Sequence, residues 1–215
     1  MLTPISGGEA PQTRGRRFAA RAIHPHLEAL VDQVRRAETA GEILLQILEV
    51  ERTGEQVERI MRLDSESHGF NQQLTGRLSA SFITPLDPED VQSVSTALTR
   101  VVQAMRRAAE VARDLPARRR LASAQRQINT LLIELGDAVR TLAEGEPAVT
   151  QAAGVLRSQR EARAALRSAG AVLVRTDSDV LQLLAEQQLY ASLDDVLYRV
   201  RKTATSLQSL ILKNG

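Results

Sequence analysis

The chain has 215 residues and no cysteine, with 28 Lys and Arg against 26 Asp and Glu and a formal charge of +2. That length suits one large domain or two small halves with a sizeable core, and it excludes a disulfide framework and thiol chemistry. Aromatics at 2% leave little for base stacking or a stacked cofactor, so no nucleic acid is expected.

Ala, Leu, Arg, Glu and Gln dominate, and these residues favour helices. The predicted fold is all-α. No apolar run approaches the roughly 18 residues that span a bilayer. The start carries charges but no apolar core of a secretory signal. The expected compartment is therefore the cytoplasm. The pI of 9.5 overstates the basicity of a chain so nearly balanced.

Met1 to Arg17 holds Gly7-Gly8, two prolines and Arg14, Arg16 and Arg17, which predicts a disordered basic tail over residues 1–17. The helical domain is expected over 18–215, in halves of about 18–115 and 116–215. A first helix is predicted from about Pro25 to Arg52, with Leu27, Leu30, Val34, Ala37, Gly41, Leu44 and Leu48 at three-four spacing. Gly54 ends it. A second runs from about Glu55 to Ser81 on Val57, Ile60, Leu74 and Leu78, with Asp64, Ser67 and Asn71 at the intervening seam positions. Polar residues in a seam are costly unless paired. Asp64 and His68 are four apart and share a face.

Phe82 to Asp90 reads Phe-Ile-Thr-Pro-Leu-Asp-Pro-Glu-Asp and organises the chain. Pro85 cannot continue a helix, Asp87 suits an N-cap, Pro88 suits the first helical position, and Glu89 and Asp90 favour the positive end of the helix dipole. The third helix then runs from about Pro88 to Asp114 on Val91, Val94, Ser95, Leu98, Val101, Val102 and Met105. Leu115-Pro116 breaks it. The fourth spans roughly Ala117 to Leu142 on Leu121, Ala124, Ile128, Leu131, Leu135, Ala138 and Leu142, and Glu144-Gly145-Glu146-Pro147 is a turn. The fifth, about Ala148 to Val174, has the seam Val149, Ala152, Leu156, Gln159, Arg163, Leu166, Gly170 and Leu173. The sixth, about Asp179 to Lys213, carries Leu189, Leu193, Val196, Val200, Leu207 and Leu210.

The layout repeats. Asp64 and His68 fall 95 positions before Gln159 and Arg163, and Leu98-Thr99 falls 95 positions before Leu193-Asp194. One offset serves both pairs and predicts two pseudo-repeated three-helix halves.

Phe-Ile-Thr-Pro, then an Asp and a Glu-Asp pair opening a helix, resembles the hallmark of the PhoU-like phosphate-transport regulators that accompany low-affinity Pit phosphate permeases. Leu193-Asp194-Asp195-Val196 and the closing Leu210-Ile211-Leu212-Lys213-Asn214 also resemble that family. The resemblance covers nearly the whole chain after the tail and implies a six-helix PhoU-like bundle. It implies a non-enzymatic cytoplasmic regulator or accessory protein of a Pit-type phosphate permease. The permease would bring it into peripheral contact with the inner face of the membrane, and a homodimer is a further partner to expect. Two alternatives are a metal-binding PhoU-like sensor and a structural helical dimerisation module.

The family pattern implies carboxylates on the second and third helix of each half, which suit hard cations. Here they are mostly replaced. Asp64 and His68 are met on the third helix by Thr99, Arg100 and Gln103, and Gln159 and Arg163 stand on the fifth. Asp194 and Asp195 remain on the sixth, with Tyr198 in the last place. No metal is expected, with Asp64, His68, Asp194 and Asp195 as vestigial or weak candidates, and no cofactor is implied. The resemblance also sets Arg163 opposite Asp194, and an ion pair from Arg163 to Asp194 or Asp195 is expected in place of a metal.

No catalytic set emerges. His24, His26 and His68 are the only histidines, and none follows a Glu by three, so a Glu-x-x-His di-iron site is absent. His24-Pro25-His26 reads as exposed. No Gly-rich phosphate loop is present. Arg118-Arg119-Arg120 opens a helix against its dipole and reads as a solvated basic patch.

Overall fold

The computed structural model describes residues 25–49, 53–80, 86–115, 121–146, 148–173 and 180–214. The predicted tail, His24, the segment 81–85, Arg118-Arg119-Arg120, Pro147 and residues 174–179 lie outside the described residues. The six helices are α1 (Pro25–Glu49), α2 (Gly54–Ala80), α3 (Pro88–Ala112), α4 (Ala122–Ala143), α5 (Val149–Leu173) and α6 (Val180–Asn214). No strand occurs among the described residues. The three-four apolar spacing and the breakers locate each helix, because burying one stripe per helix is what stabilises a bundle in water.

Local chemistry fixes the ends. Asp87 is in extended geometry, its carboxylate accepts from the Glu89 amide at 3.0 Å, and Pro88 opens α3. At the end of α4, Gly145 has φ +82. Its amide donates to the Leu142 carbonyl at 3.1 Å, and the Glu146 amide donates to the Thr141 carbonyl at 3.1 Å. These two bonds satisfy carbonyls that the helix end orphans, and glycine reaches that left-handed conformation without a Cβ clash.

The helices pack as two three-helix groups. Within the first, α1, α2 and α3 touch one another, and α4, α5 and α6 do so in the second. The groups meet through α1 against α4 and α3 against α6. Moving α1 by 95 positions sets it on 120–144, over α4. The same shift sets α2 on 149–175, over α5, and α3 on 183–207, inside α6. The two inter-group contacts therefore each pair a helix with its own repeat, an internal pseudo-twofold.

Gly41 and Gly136 mark the axis. They are 95 apart, and each faces the other's helix. A Cβ on Gly41 would lie 2.9 Å from Leu132 Cδ1 on α4, and one on Gly136 would lie 2.8 Å from Val34 Cγ1 on α1. Glycine lets the two backbones approach more closely than an alanine pair would. Around this crossing Leu30, Leu44, Ile47, Leu48, Leu131 and Leu135 are buried. Arg140 bridges it, pairing with Glu38 at 3.0 Å. Burial lowers the Arg140 pKa, but the bonds and charges of Glu38 and Asp137 outweigh this and leave it raised.

Candidate functional site

Two stretches sit where the repeat brings polar residues together. In the first, α2 turns Asp64, Ser67 and Asn71 toward α3. Asp64 is nearly buried, and Arg106 Nε lies 2.9 Å from its Oδ2. That contact is Coulombic rather than an aligned hydrogen bond, since Nε has no acceptor in line. Arg106 also pairs with Glu110 one turn on. His68 Nδ1 lies 2.9 Å from the Asp64 carbonyl oxygen and 3.2 Å from Oδ1. Both are acceptors, so Nδ1 carries the proton here.

Beneath this pair runs a polar track. Gln33 Nε2 donates to Thr99 Oγ1 at 3.5 Å, Thr99 Oγ1 donates to the Ser95 carbonyl at 3.1 Å, and Ser95 Oγ donates to Asn71 Oδ1 at 2.6 Å. Gln33, Ser67 and Ser95 are fully buried. Ser67 Oγ also donates to Thr99 Oγ1 at 3.5 Å. The track gives Ser67 and Asn71 of α2 hydrogen-bond partners, since leaving them dry and unbonded would be costly, whereas Gln33 Oε1 is buried without one.

The second stretch is its repeat. A groove of about 260 Å³ is lined by Gln159, Arg163, Asp194, Asp195, Tyr198 and Arg201. Here the expected ion pair is not formed. Among the described residues Arg163 has no carboxylate partner and is exposed. The cause is register. The buried stripe of α5 is Ala152, Val155, Gln159, Ala162 and Leu166, so Ala162 occupies the place that the seam reading gave to Arg163. Val149 is likewise exposed and Leu156 only half-buried. Asp195 is instead held by Arg199 Nε at 3.0 Å and by Arg107 at 3.6 Å, the latter reaching across from α3.

A fixed cation does neutralise a carboxylate in both halves, but the cations are Arg106, Arg107 and Arg199, none of which the sequence reading singled out. One signal was present. Thr99, Gln103, Arg106 and Glu110 follow a four-three-four spacing, so Arg106 continues the α3 stripe that faces α2.

The hard-cation sites that the family pattern implies do not fit these donors. The Asp64 carboxylate is engaged by a guanidinium, and the Nδ1 of His68 is turned to Asp64 as a donor. Asp195 is engaged twice, and Thr99, Arg100, Gln103, Gln159 and Arg163 supply no anion. No group of three or more His, Asp or Glu able to hold a metal occurs among the described residues. Likewise, no described helix is long and apolar enough to cross a membrane.

No family model and no curated protein matches the chain in sequence. Solved structures do match in shape. A PhoU-like protein from Shewanella oneidensis MR-1 superposes with a TM-score of 0.76 at 9% identity, over 87% of this chain and 99% of that one. A second protein of the same organism, named as a PhoU-like phosphate regulatory protein, superposes at 0.74 and 10% identity over the same shares. Identity this low speaks for the fold and leaves the site free to have diverged. The chain has the PhoU-like fold.

Proposed function

We propose that this chain is a non-enzymatic regulator of phosphate transport, acting as an accessory protein of a Pit-type permease. The observation that carries the reading is the match of nearly the entire length of two PhoU-like proteins, one of them named as a phosphate regulator. The Phe82 to Asp90 motif supports the Pit-accessory subtype. Its mode of action is contact rather than chemistry, since the Asp64 and Asp195 carboxylates are each held by a guanidinium. Val180, Leu181 and Leu184 stand exposed together on the first turns of α6 and offer an apolar surface for the permease or for a second copy. The expected working place is the cytoplasmic face of the membrane, reached through the permease.

The test is deletion of the gene, followed by phosphate uptake at low and high external phosphate and by affinity capture with a tagged chain. Altered uptake together with co-purification of a permease supports the reading. Unchanged uptake at both concentrations with no captured permease would count against it.

A further inference from the structure

A second groove, of about 400 Å³, runs between α3 and α6 on the other side of the pseudo-twofold from Asp195. Its lining includes Ser93, Thr96, Arg100, Arg199, Lys202 and Ser206. The internal symmetry makes its charge unusual. The ion pair that crosses from α3 to α6 is Arg107 with Asp195. Shifted by 95, Arg107 becomes Lys202 and Asp195 becomes Arg100. So the place that holds an opposite-charge pair on one side holds two cations on the other. Neither Arg100 nor Lys202 has a carboxylate partner among the described residues. Glu89 is the single carboxylate in the lining and lies within Coulombic range of Lys213 as well. Arg199 adds a third cation, with its Nε committed to Asp195.

We propose that this groove binds a compact phosphoryl polyanion of the pyrophosphate or short polyphosphate kind. Arg100 and Lys202 line one groove with no carboxylate partner among the described residues, so an anion seated there meets both cations at once. Guanidinium forks suit phosphoryl oxygens, and the hydroxyls of Ser93, Thr96 and Ser206 supply neutral donors around them. Ser93 and Ser206 already face each other across the two helices, with their oxygens 3.4 Å apart. The volume falls in the range of small-ligand sites. No aromatic side chain lines it, so nothing stacks a base or a ring. The ligand is therefore a small inorganic or sugar-free phosphate chain rather than a nucleotide. This inference stands on the groove alone and does not depend on a permease partner.

Calorimetric titration of the full chain with inorganic pyrophosphate at low salt tests it. One saturable site is expected. Arg100→Gln and Lys202→Met should each weaken it by about tenfold, the loss of one charge-assisted contact. Arg100→Asp should abolish binding with unchanged helical circular dichroism, because it restores on this side the opposite-charge arrangement of Arg107 and Asp195. Arg59→Gln, on the exposed face of α2, should leave affinity unchanged. Absence of saturable heat would overturn the proposal, as would equal weakening by Arg59→Gln, which signals charge without a site. A parallel arm uses phosphatidylglycerol vesicles. Arg100-dependent sedimentation with vesicles in the absence of pyrophosphate binding would also overturn it, by assigning the cations to a lipid surface.

Discussion

Arg106 is 26% exposed beside an Asp64 carboxylate that is 13% exposed, whereas Arg163 is exposed at the rim of the groove between α5 and α6 with no carboxylate partner among the described residues. The same side-chain chemistry therefore has two expected energies. Arg106→Leu should destabilise the fold by ~1–3 kcal/mol, since it strands a mostly buried carboxylate and also removes the pairing with Glu110. Arg163→Ala should fall within about 0.5 kcal/mol of the parent, as exposed substitutions commonly do. Urea denaturation of the two variants separates them, and equal costs would show the Asp64–Arg106 contact to be energetically idle. Asp64 was legible from the sequence as a seam carboxylate in need of a partner. Its partner was not, because a cation two turns beyond Thr99 looks like any surface arginine until α2 is laid against α3. The misplacement of Arg163 has a related cause. The buried side of α5 includes Ala152 and Ala162, and alanine marks a face weakly when alanines also stand on the exposed side, as Ala164 does.

At the scale of elements, the helices themselves were readable because most seams are long and branched. Ile128, Leu131, Leu135 and Val139 on α4, or Val91, Val94, Leu98 and Val102 on α3, leave no other stripe to bury. What the spacing did not express is how closely two helices approach. Gly41 read only as a seam position, and its meaning needs Gly136 on the opposite helix. The consequence is testable with two glycines of opposite expectation. Gly136→Val places branched carbon against Val34 at the crossing and should cost more than ~2 kcal/mol, because α1 and α4 must separate. Gly76→Ala, on α2 where an added Cβ meets nothing within 4 Å, should instead stabilise by ~0.5–1 kcal/mol through helix propensity. Thermal melts of both read the two signs directly. A neutral Gly136→Val would show that the crossing yields without loss.

For the whole molecule, the pseudo-twofold joins two groups whose interiors are unlike. Gln33, Ser67, Asn71 and Ser95 of the first correspond at the 95 offset to Ile128, Ala162, Leu166 and Tyr190 of the second. The polar track thus has no copy, and the site residues have diverged from one another within one chain. The bundle architecture survived because Gly41, Gly136 and the seams fix the crossing whatever the neighbouring polar residues are. Helices α1, α3, α4 and α6 each contact a helix of the other group, whereas α2 touches only α1 and α3 in appreciable measure, and α5 only α4 and α6. Amide hydrogen exchange should follow that division. Slow exchange is expected in α1, α3, α4 and α6, and the earliest opening in α2, whose middle buries Asp64 and Ser67 where its ends bury Val57, Ile60, Leu74 and Leu78. Exchange in α1 as fast as in α2 would contradict it. A four-helix rigid frame with two separately detachable flanks is a molecule that can lose the order of one flank to a partner while the frame stays folded, so local opening and global unfolding become different events with different free energies.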